Sequence, residues 1–184
     1  MKSLIQEKKN EVRQELKDKR NQIAVDRRGQ AQSECVDAIS AIARTHPFVL
    51  SYSSIGDELS TKGLNHFLEE EGKLVLPRVV DGEIKAYHVK DSAHELELSN
   101  FGILEPKLSC EEADLAKIGL VLVPGLGFDS GKHRIGYGKG HYDRFLSRMH
   151  DEAITIGIGF REQYFPGNLP VEETDKSLTA VLLF

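Results

Sequence analysis

The order of apolar and polar positions divides the chain into two unlike parts. Over residues 2 to about 23 and 26 to 44, apolar residues recur at helical spacing, glycines are few and no proline precedes Pro47. The spacing predicts two helices. From Pro47 onward the pattern shortens. "PFVLSYS" (47–53) is a compact apolar run that reads as a strand, followed by a turn at Gly56 and Asp57. "STKGLNHFLEEEG" (60–72) predicts a helix that Ser60 or Thr61 would cap and Gly72 would end. "KLVLP" (73–77) and "IKAYHV" (84–89) predict strands on either side of the turn "VDGE" (80–83). "IGLVLVP" (118–124) is nearly continuous in apolar residues and ends in proline, the pattern of a strand covered on both faces. Tyr142, Phe145, Leu146 and Met149 fall at i, i+3, i+4 and i+7 and predict one more helix. "AITIGIGF" (153–160) and "LTAVLLF" (178–184) predict two last strands.

Strands alternating with helices indicate an α/β sandwich with a largely parallel sheet. No internal repeat or low-complexity linker interrupts the 184 residues, so residues 1–184 are expected to form a single domain.

Composition narrows the function classes. The chain is 40% hydrophobic and 29% charged, ordinary values for a globular protein. A net charge of −5 gives no global attraction to nucleic acid or to an anionic membrane, so any basic site must be local. Cys35 and Cys110 are far apart and lack metal-ligand spacing, which argues against a zinc site or a disulfide scaffold. No window approaches 18 apolar residues, and "MKSLIQEKKNEVRQELKDKR" has no apolar stretch of the secretory kind. A cytoplasmic location is expected, with neither nucleic acid nor membrane as a partner.

The least average segment is "GLGFDSGKHRIGYGKG" (125–140), which stands between the strand "IGLVLVP" and the Tyr142 helix. In open α/β sheets ligands bind beyond the carboxyl ends of strands. A glycine-rich turn there lets backbone N–H groups approach an anion closely, and the next helix adds the positive end of its dipole. Arg134 and Lys139 add full charges, so the segment reads as a phosphate or polyphosphate site. It fits neither the dinucleotide fingerprint, since "GYGKG" is GxGxG, nor the Walker loop, since "GLGFDSGK" has one residue too many and His133 follows the lysine. Asp143, at the start of the following helix, complements the helix dipole or serves as a Mg²⁺ ligand. Asp175, in the turn "EETDKS", is a turn residue or a second such ligand.

The first helix carries cations on its apolar side. Ile5, Val12, Leu16 and Ile23 form a narrow stripe, with Lys9 inside it and Arg13 and Arg20 flanking it. Cations so placed must snorkel outward or meet an anion, because burying them unpaired is costly. "SSIGDELSTKG" sets Asp57 and Glu58 just beyond the strand "FVLSYS", on the same sheet edge as the glycine loop. Glu58 is an exposed turn carboxylate or the partner of a ligand with N–H donors. The seven histidines show no paired spacing and no HExxH motif.

These pieces converge on one resemblance. "VLVPGLGFDSGKHRIGYGKGHYDRFL" (121–146) resembles the signature of the 5-formyltetrahydrofolate cyclo-ligase family, also called methenyltetrahydrofolate synthetases. "KKNEVR" (8–13), "DELST" (57–61), "FGILEP" (101–106) and "LPVEETD" (169–175) resemble the family's further elements, in the right order. The resemblance implies a three-layer, Rossmann-like α/β/α sandwich. It also implies an ATP- and Mg²⁺-dependent closure of 5-formyltetrahydrofolate to 5,10-methenyltetrahydrofolate through a phosphorylated formyl group. A monomer is expected.

By matching position, Lys9 and Arg13 would contact ATP phosphates, and the run Arg134, Ile135, Gly136, Tyr137, Gly138, Lys139, Gly140, His141 and Tyr142 would cradle the nucleotide. Lys9, Arg134 and Lys139 would act on the transferring phosphate. Asp143 and Asp175 would hold Mg²⁺. Ser53, Glu58, Phe101 and Tyr142 would line the folate site, with Glu58 reaching the pterin ring. His141 stands where many members have the first tyrosine of a Tyr-Tyr-Asp run, so a ring remains available there. The alternatives are a non-catalytic nucleotide- or folate-binding module on the same fold, or an ATP-dependent kinase or ligase acting on another small molecule.

Overall fold

The computed structural model describes residues 4–99 and 102–184; Phe101 lies outside them. Both leading helices form, as α1 (Leu4–Asn21) and α2 (Val25–Ala43). α2 buries Ala31, Cys35, Ile39 and Ala43, every fourth position, which is one face of a helix. α1 buries Lys9, Leu16 and Arg20, so two of its three buried side chains are cations.

Next come β1 (Phe48–Leu50), α3 (Lys62–Glu70), β2 (Leu74–Val80) and β3 (Glu83–His88). A single turn α4 (Ser92–Glu95) leads to an antiparallel ribbon of β4 (Leu96–Leu98) and β5 (Leu104–Pro106). After β6 (Ile118–Val123), a second ribbon of β7 (Gly127–Phe128) and β8 (Arg134–Ile135) carries the glycine-rich segment. α5 (His141–Leu146), β9 (Ile154–Gly159) and β10 (Ala180–Leu183) complete the described elements.

The central sheet has the order β10-β9-β6-β1-β2-β3. Every neighbouring pair is parallel except β2–β3. Parallel neighbours need crossovers, and α3 and α5 supply two of them. β2 and β3 instead share a two-residue turn, since Val80 pairs with Glu83. Asp81 and Gly82 both have positive φ, 51° and 82°, as a tight primed turn requires.

Side chains alternate between two cores. Val49, Leu74, Leu76, Leu120, Leu122, Ile156 and Ile158 point to the face that α2 and α3 cover. Leu50, Val75, Val121 and Val123 point to the other, against Phe145 of α5. A largely parallel sheet with helices around it is thus the architecture expected from the pattern. No helix among the described residues is long and apolar enough to cross a membrane.

Three local expectations are corrected. The run "PFVLSYS" yields only the three-residue β1, because the chain leaves the ladder after Ser51 to form the loop that carries Glu58. Thr61 occupies the N-cap position of α3, but its fully buried hydroxyl donates to the Tyr52 carbonyl at 2.5 Å instead of capping the helix. That bond satisfies a buried acceptor in the same loop. α5 ends at Leu146, and Met149 reaches the core from a tightened turn closed by its N–H to the Leu146 carbonyl.

The glycine loop starts from a fixed base. The Phe128 ring is fully buried against the sheet, and a Cβ at Gly157 would stand 2.5 Å from its Cε1. Only glycine in β9 leaves room for that ring. A third cluster, Leu16, Leu126, Ile135 and Leu169, packs α1 against the same loop.

Candidate active site

The carboxyl ends of β1 and β6 open into one cleft of about 1310 Å³. Every candidate residue named from the sequence that lies among the described residues lines it: Lys9, Arg13, Ser53, Glu58, the run 134–142, Asp143 and Asp175. The topology explains this convergence. β1 and β6 are parallel neighbours, so the loops that follow them leave the same edge. α1 packs along that edge and contributes its cations.

Lys9 is 5% exposed, and its ammonium donates to Glu172 Oε2 at 2.8 Å and to Asp175 Oδ2 at 2.6 Å. Burial opposes its charged form, but the hydrogen bonds and charges of Asp175 and Glu172 outweigh that, and its pKa is raised. The cation thus neither snorkels nor waits unpaired; it meets carboxylates of the chain itself. Asp175 also closes its own turn by accepting the Glu172 N–H at 2.8 Å.

Arg134 NH2 donates to Asp143 Oδ1 at 2.9 Å, and the same oxygen accepts the backbone N–H of Lys176 at 3.1 Å. Lys176 follows Asp175 directly, so the two candidate metal carboxylates belong to adjoining segments. Arg13 Nε donates to the Gly136 carbonyl at 2.8 Å. Gly138 adopts φ of 93°, and a Cβ there would lie 3.1 Å from the Arg13 guanidinium. The positive φ favours glycine at this turn, and the arginine packs closely against it.

Other members of the run have mixed duties. Ile135 is 3% exposed and packs in the third cluster, so its role is largely structural. His141 Nδ1 lies 2.9 Å from the Gly82 carbonyl and Arg144 NH2 reaches it at 3.1 Å, tying the start of α5 to the β2–β3 turn. Lys139 and Ser53 line the cleft.

The cleft lining also includes apolar residues, among them Pro77, Val79, Ile84 and Ile103. Glu58 lines the same cleft, 9% exposed, so it is not the exposed turn carboxylate that its residue type alone suggests. Burial pushes its pKa up, against the pull of the Ile55 N–H, the Arg20 charge and the Tyr137 hydroxyl. Burial, with the Glu58 charge beside it, raises Tyr142 well above the usual phenol range, so its hydroxyl keeps its proton.

Several contributors were not singled out for the site from the sequence. Arg20 is 1% exposed and grips Asp57 with both nitrogens, at 2.9 and 2.8 Å. Its position flanking the apolar stripe was a visible signal, but its partner lies 37 residues away. Glu172 and Glu105 also line the cleft; burial raises the pKa of Glu105. No periodicity marks a carboxylate that becomes buried only through tertiary packing.

A cleft lined by paired cations, apolar side chains and a buried carboxylate can hold a polyanion next to a flat ligand bearing N–H donors. Comparison with known proteins gives the family. The family model described as "5-formyltetrahydrofolate cyclo-ligase family" matches residues 5–183. The probable 5-formyltetrahydrofolate cyclo-ligase of Caenorhabditis elegans is 31% identical over 98% of this chain and 94% of its own. The 5-formyltetrahydrofolate cyclo-ligase of Haemophilus influenzae is 29% identical over 96% and 98%. Among solved structures, the 5,10-methenyltetrahydrofolate synthetase of Aquifex aeolicus superposes with a TM-score of 0.83 at 27% identity, covering 94% of this chain and 88% of that one. With sequence match and fold agreeing over nearly the whole length, the chain belongs to the 5-formyltetrahydrofolate cyclo-ligase family.

Proposed function

We propose that the protein closes 5-formyltetrahydrofolate to 5,10-methenyltetrahydrofolate at the expense of ATP, with Mg²⁺ required. The observation that carries this is a single cleft lined by paired cations, by apolar side chains and by the buried carboxylate of Glu58. A formamide oxygen is a poor leaving group, and N10 cannot expel it as hydroxide. Transfer of the ATP γ-phosphoryl group to that oxygen breaks the bond to ADP and makes the oxygen a phosphate leaving group. N10 then attacks the formyl carbon, the carbon–oxygen bond breaks, phosphate departs and the N10 proton is lost to solvent. No side-chain nucleophile is needed, so positioning and charge neutralisation are the main demands.

Lys9, Arg13, Arg134 and Lys139 are the cations suited to the phosphates, and Glu58 with Ser53 and Tyr142 to the folate. Asp143 and Asp175 fit a magnesium ion: both are cleft carboxylates from adjoining segments, and magnesium takes one or two carboxylates beside phosphate oxygens. When bound there, the ion would neutralise charge on the phosphates. Lys9 pairs with Asp175, and Arg134 with Asp143.

Absorbance-monitored methenyl formation, with ATP and Mg²⁺ each omitted in turn, tests the proposal. Turnover only with both present is expected. Turnover without ATP refutes it, and binding of both ligands without turnover leaves a non-catalytic module.

A further inference from the structure

Arg20 lies behind the cleft wall, yet the wall depends on it. Its Nε and NH2 hold both oxygens of Asp57, and NH1 reaches the Gly125 carbonyl at 3.4 Å. NH2 also donates to the Tyr137 hydroxyl at 2.9 Å. A tyrosine hydroxyl has one proton to give, and here it goes to Glu58 Oε1 at 3.1 Å. The other Glu58 oxygen accepts the Ile55 N–H at 3.0 Å. A line of aligned donors therefore runs from a buried cation on α1, through a tyrosine of the glycine loop, to the buried carboxylate of Glu58. Tyr137 sits in the run that the resemblance gives to the nucleotide, but its polar end is turned the other way.

We infer that Arg20 is a positioning residue for Glu58, acting through Tyr137, and that this pair serves folate recognition and not the nucleotide. The inference rests on the folate reading of Glu58. The charged and titratable groups around Glu58 are Arg20 from α1, Asp57 from its own loop, Tyr137 from the glycine loop, Tyr52 after β1 and Tyr142 of α5. Arg20 and Tyr137 oppose the upward push of burial on this carboxylate. Without the Tyr137 hydroxyl the carboxylate protonates at higher pH. Folate binding that needs it ionised is intact above its pKa, is lost as pH falls through it, and so fails sooner in the variant.

The test is Tyr137→Phe, which keeps the ring. Loss of a hydrogen bond to a charged group predicts roughly a tenfold rise in the folate KM near neutral pH, with the ATP KM changed less than about twofold. The acid limb of folate binding should move to higher pH. In a Glu58→Ala background, where no acceptor remains, Tyr137→Phe should add almost nothing, because the two changes remove one interaction. Arg20→Lys, which keeps the charge but loses the fork, should shift the folate KM in the same direction; if that variant does not fold, Tyr137→Phe decides alone. An ATP KM that rises as much as the folate KM, or additive effects with Glu58→Ala, overturns the inference. Direct titration of 5-formyltetrahydrofolate without nucleotide separates the two levels. Wild type that does not bind it sinks the folate reading and the inference with it, whereas equal binding by wild type and Tyr137→Phe sinks the inference alone.

Discussion

Replacing Glu172 by Gln should make the enzyme bind ATP more tightly. The Lys9 ammonium is shared between Glu172 and Asp175, at 2.8 and 2.6 Å. A phosphate that is to use Lys9 must compete with both. Glu172→Gln keeps the shape of the side chain, removes one competing charge and leaves Asp175 in place. The Glu172 side chain is 35% exposed, so its hold on Lys9 is screened like that of a surface pair, which corresponds to about two- to fivefold in an equilibrium. Removing a negative charge from the cleft acts in the same direction on an anionic ligand.

The expected result is therefore an ATP KM about two- to fivefold lower, with the gain shrinking as salt is added. Lys9→Ala should raise the ATP KM by about ten- to a hundredfold, the equivalent of one charge-assisted hydrogen bond. In that background Glu172→Gln should lose most of its benefit, since the competition no longer exists. Initial rates of methenyl formation at saturating 5-formyltetrahydrofolate, with ATP varied, give all four values. A higher ATP KM for Glu172→Gln would refute the reasoning, because it would mean that Glu172 makes a favourable contact in the bound state.

Gly157→Ala should destabilise the fold by about 1–3 kcal/mol, because its Cβ would press on the buried Phe128 ring; an unchanged melting temperature would show that the ring can move. Asp57→Asn should cost about 1–3 kcal/mol near neutral pH, since it leaves Arg20 buried with half a partner while the 29% exposure of Asp57 softens the loss. Burial raises the Asp57 pKa but the Arg20 hydrogen bond outweighs it, and the pKa lies below its ordinary value. Its stabilisation is present above that ordinary value and is lost as pH falls through the folded pKa, so denaturant curves of variant and wild type should converge in acid. Burial pushes the Cys35 thiol up to about 12, so a thiol reagent near neutral pH should label half-buried Cys110 first and Cys35 only on unfolding. Asp143→Asn should raise the Mg²⁺ concentration needed for turnover, and wild-type activity at limiting Mg²⁺ would reduce Asp143 to a partner of Arg134.

What the sequence discloses here follows from how local each signal is. The β6 run and the every-fourth-residue face of α2 are written in neighbouring positions, and both form where the pattern puts them. The β2–β3 turn is equally local, because Asp-Gly supplies the two positive φ values. The short ends of β1 and α5 are different. They depend on where a loop finds its hydrogen bonds, as when Thr61 prefers the Tyr52 carbonyl to its own helix.

The convergence of the site follows from parallel neighbours sharing an edge, so Glu58 and the glycine loop could be placed together from the order of strands. Its electrostatics could not be read so. Lys9 meets Glu172 across 163 positions of sequence and Arg20 meets Asp57 across 37. The helical wheel showed that these cations faced inward and left their partners open.

The partners also bear on why a metal belongs in the proposed chemistry. Uncompensated burial of a single charge costs several kcal/mol, so an inward cation must be paired before any ligand arrives. Three pairs meet this requirement: Lys9 with Asp175 and Glu172, Arg134 with Asp143, and Arg20 with Asp57. Lys9, Arg134 and their carboxylates line the cleft, while Arg20 lies behind it. The first two pairs are thus open to exchange and the third is not. A polyphosphate alone would draw Lys9 and Arg134 away and leave Asp143 and Asp175 unpaired beside an anion. A divalent cation carried with the polyphosphate would supply the charge those two carboxylates lose, so that each group would keep a counter-charge on both sides of the exchange. On the proposed chemistry, the same carboxylates that make burial of the cations tolerable would therefore be the ones that tie nucleotide binding to the metal.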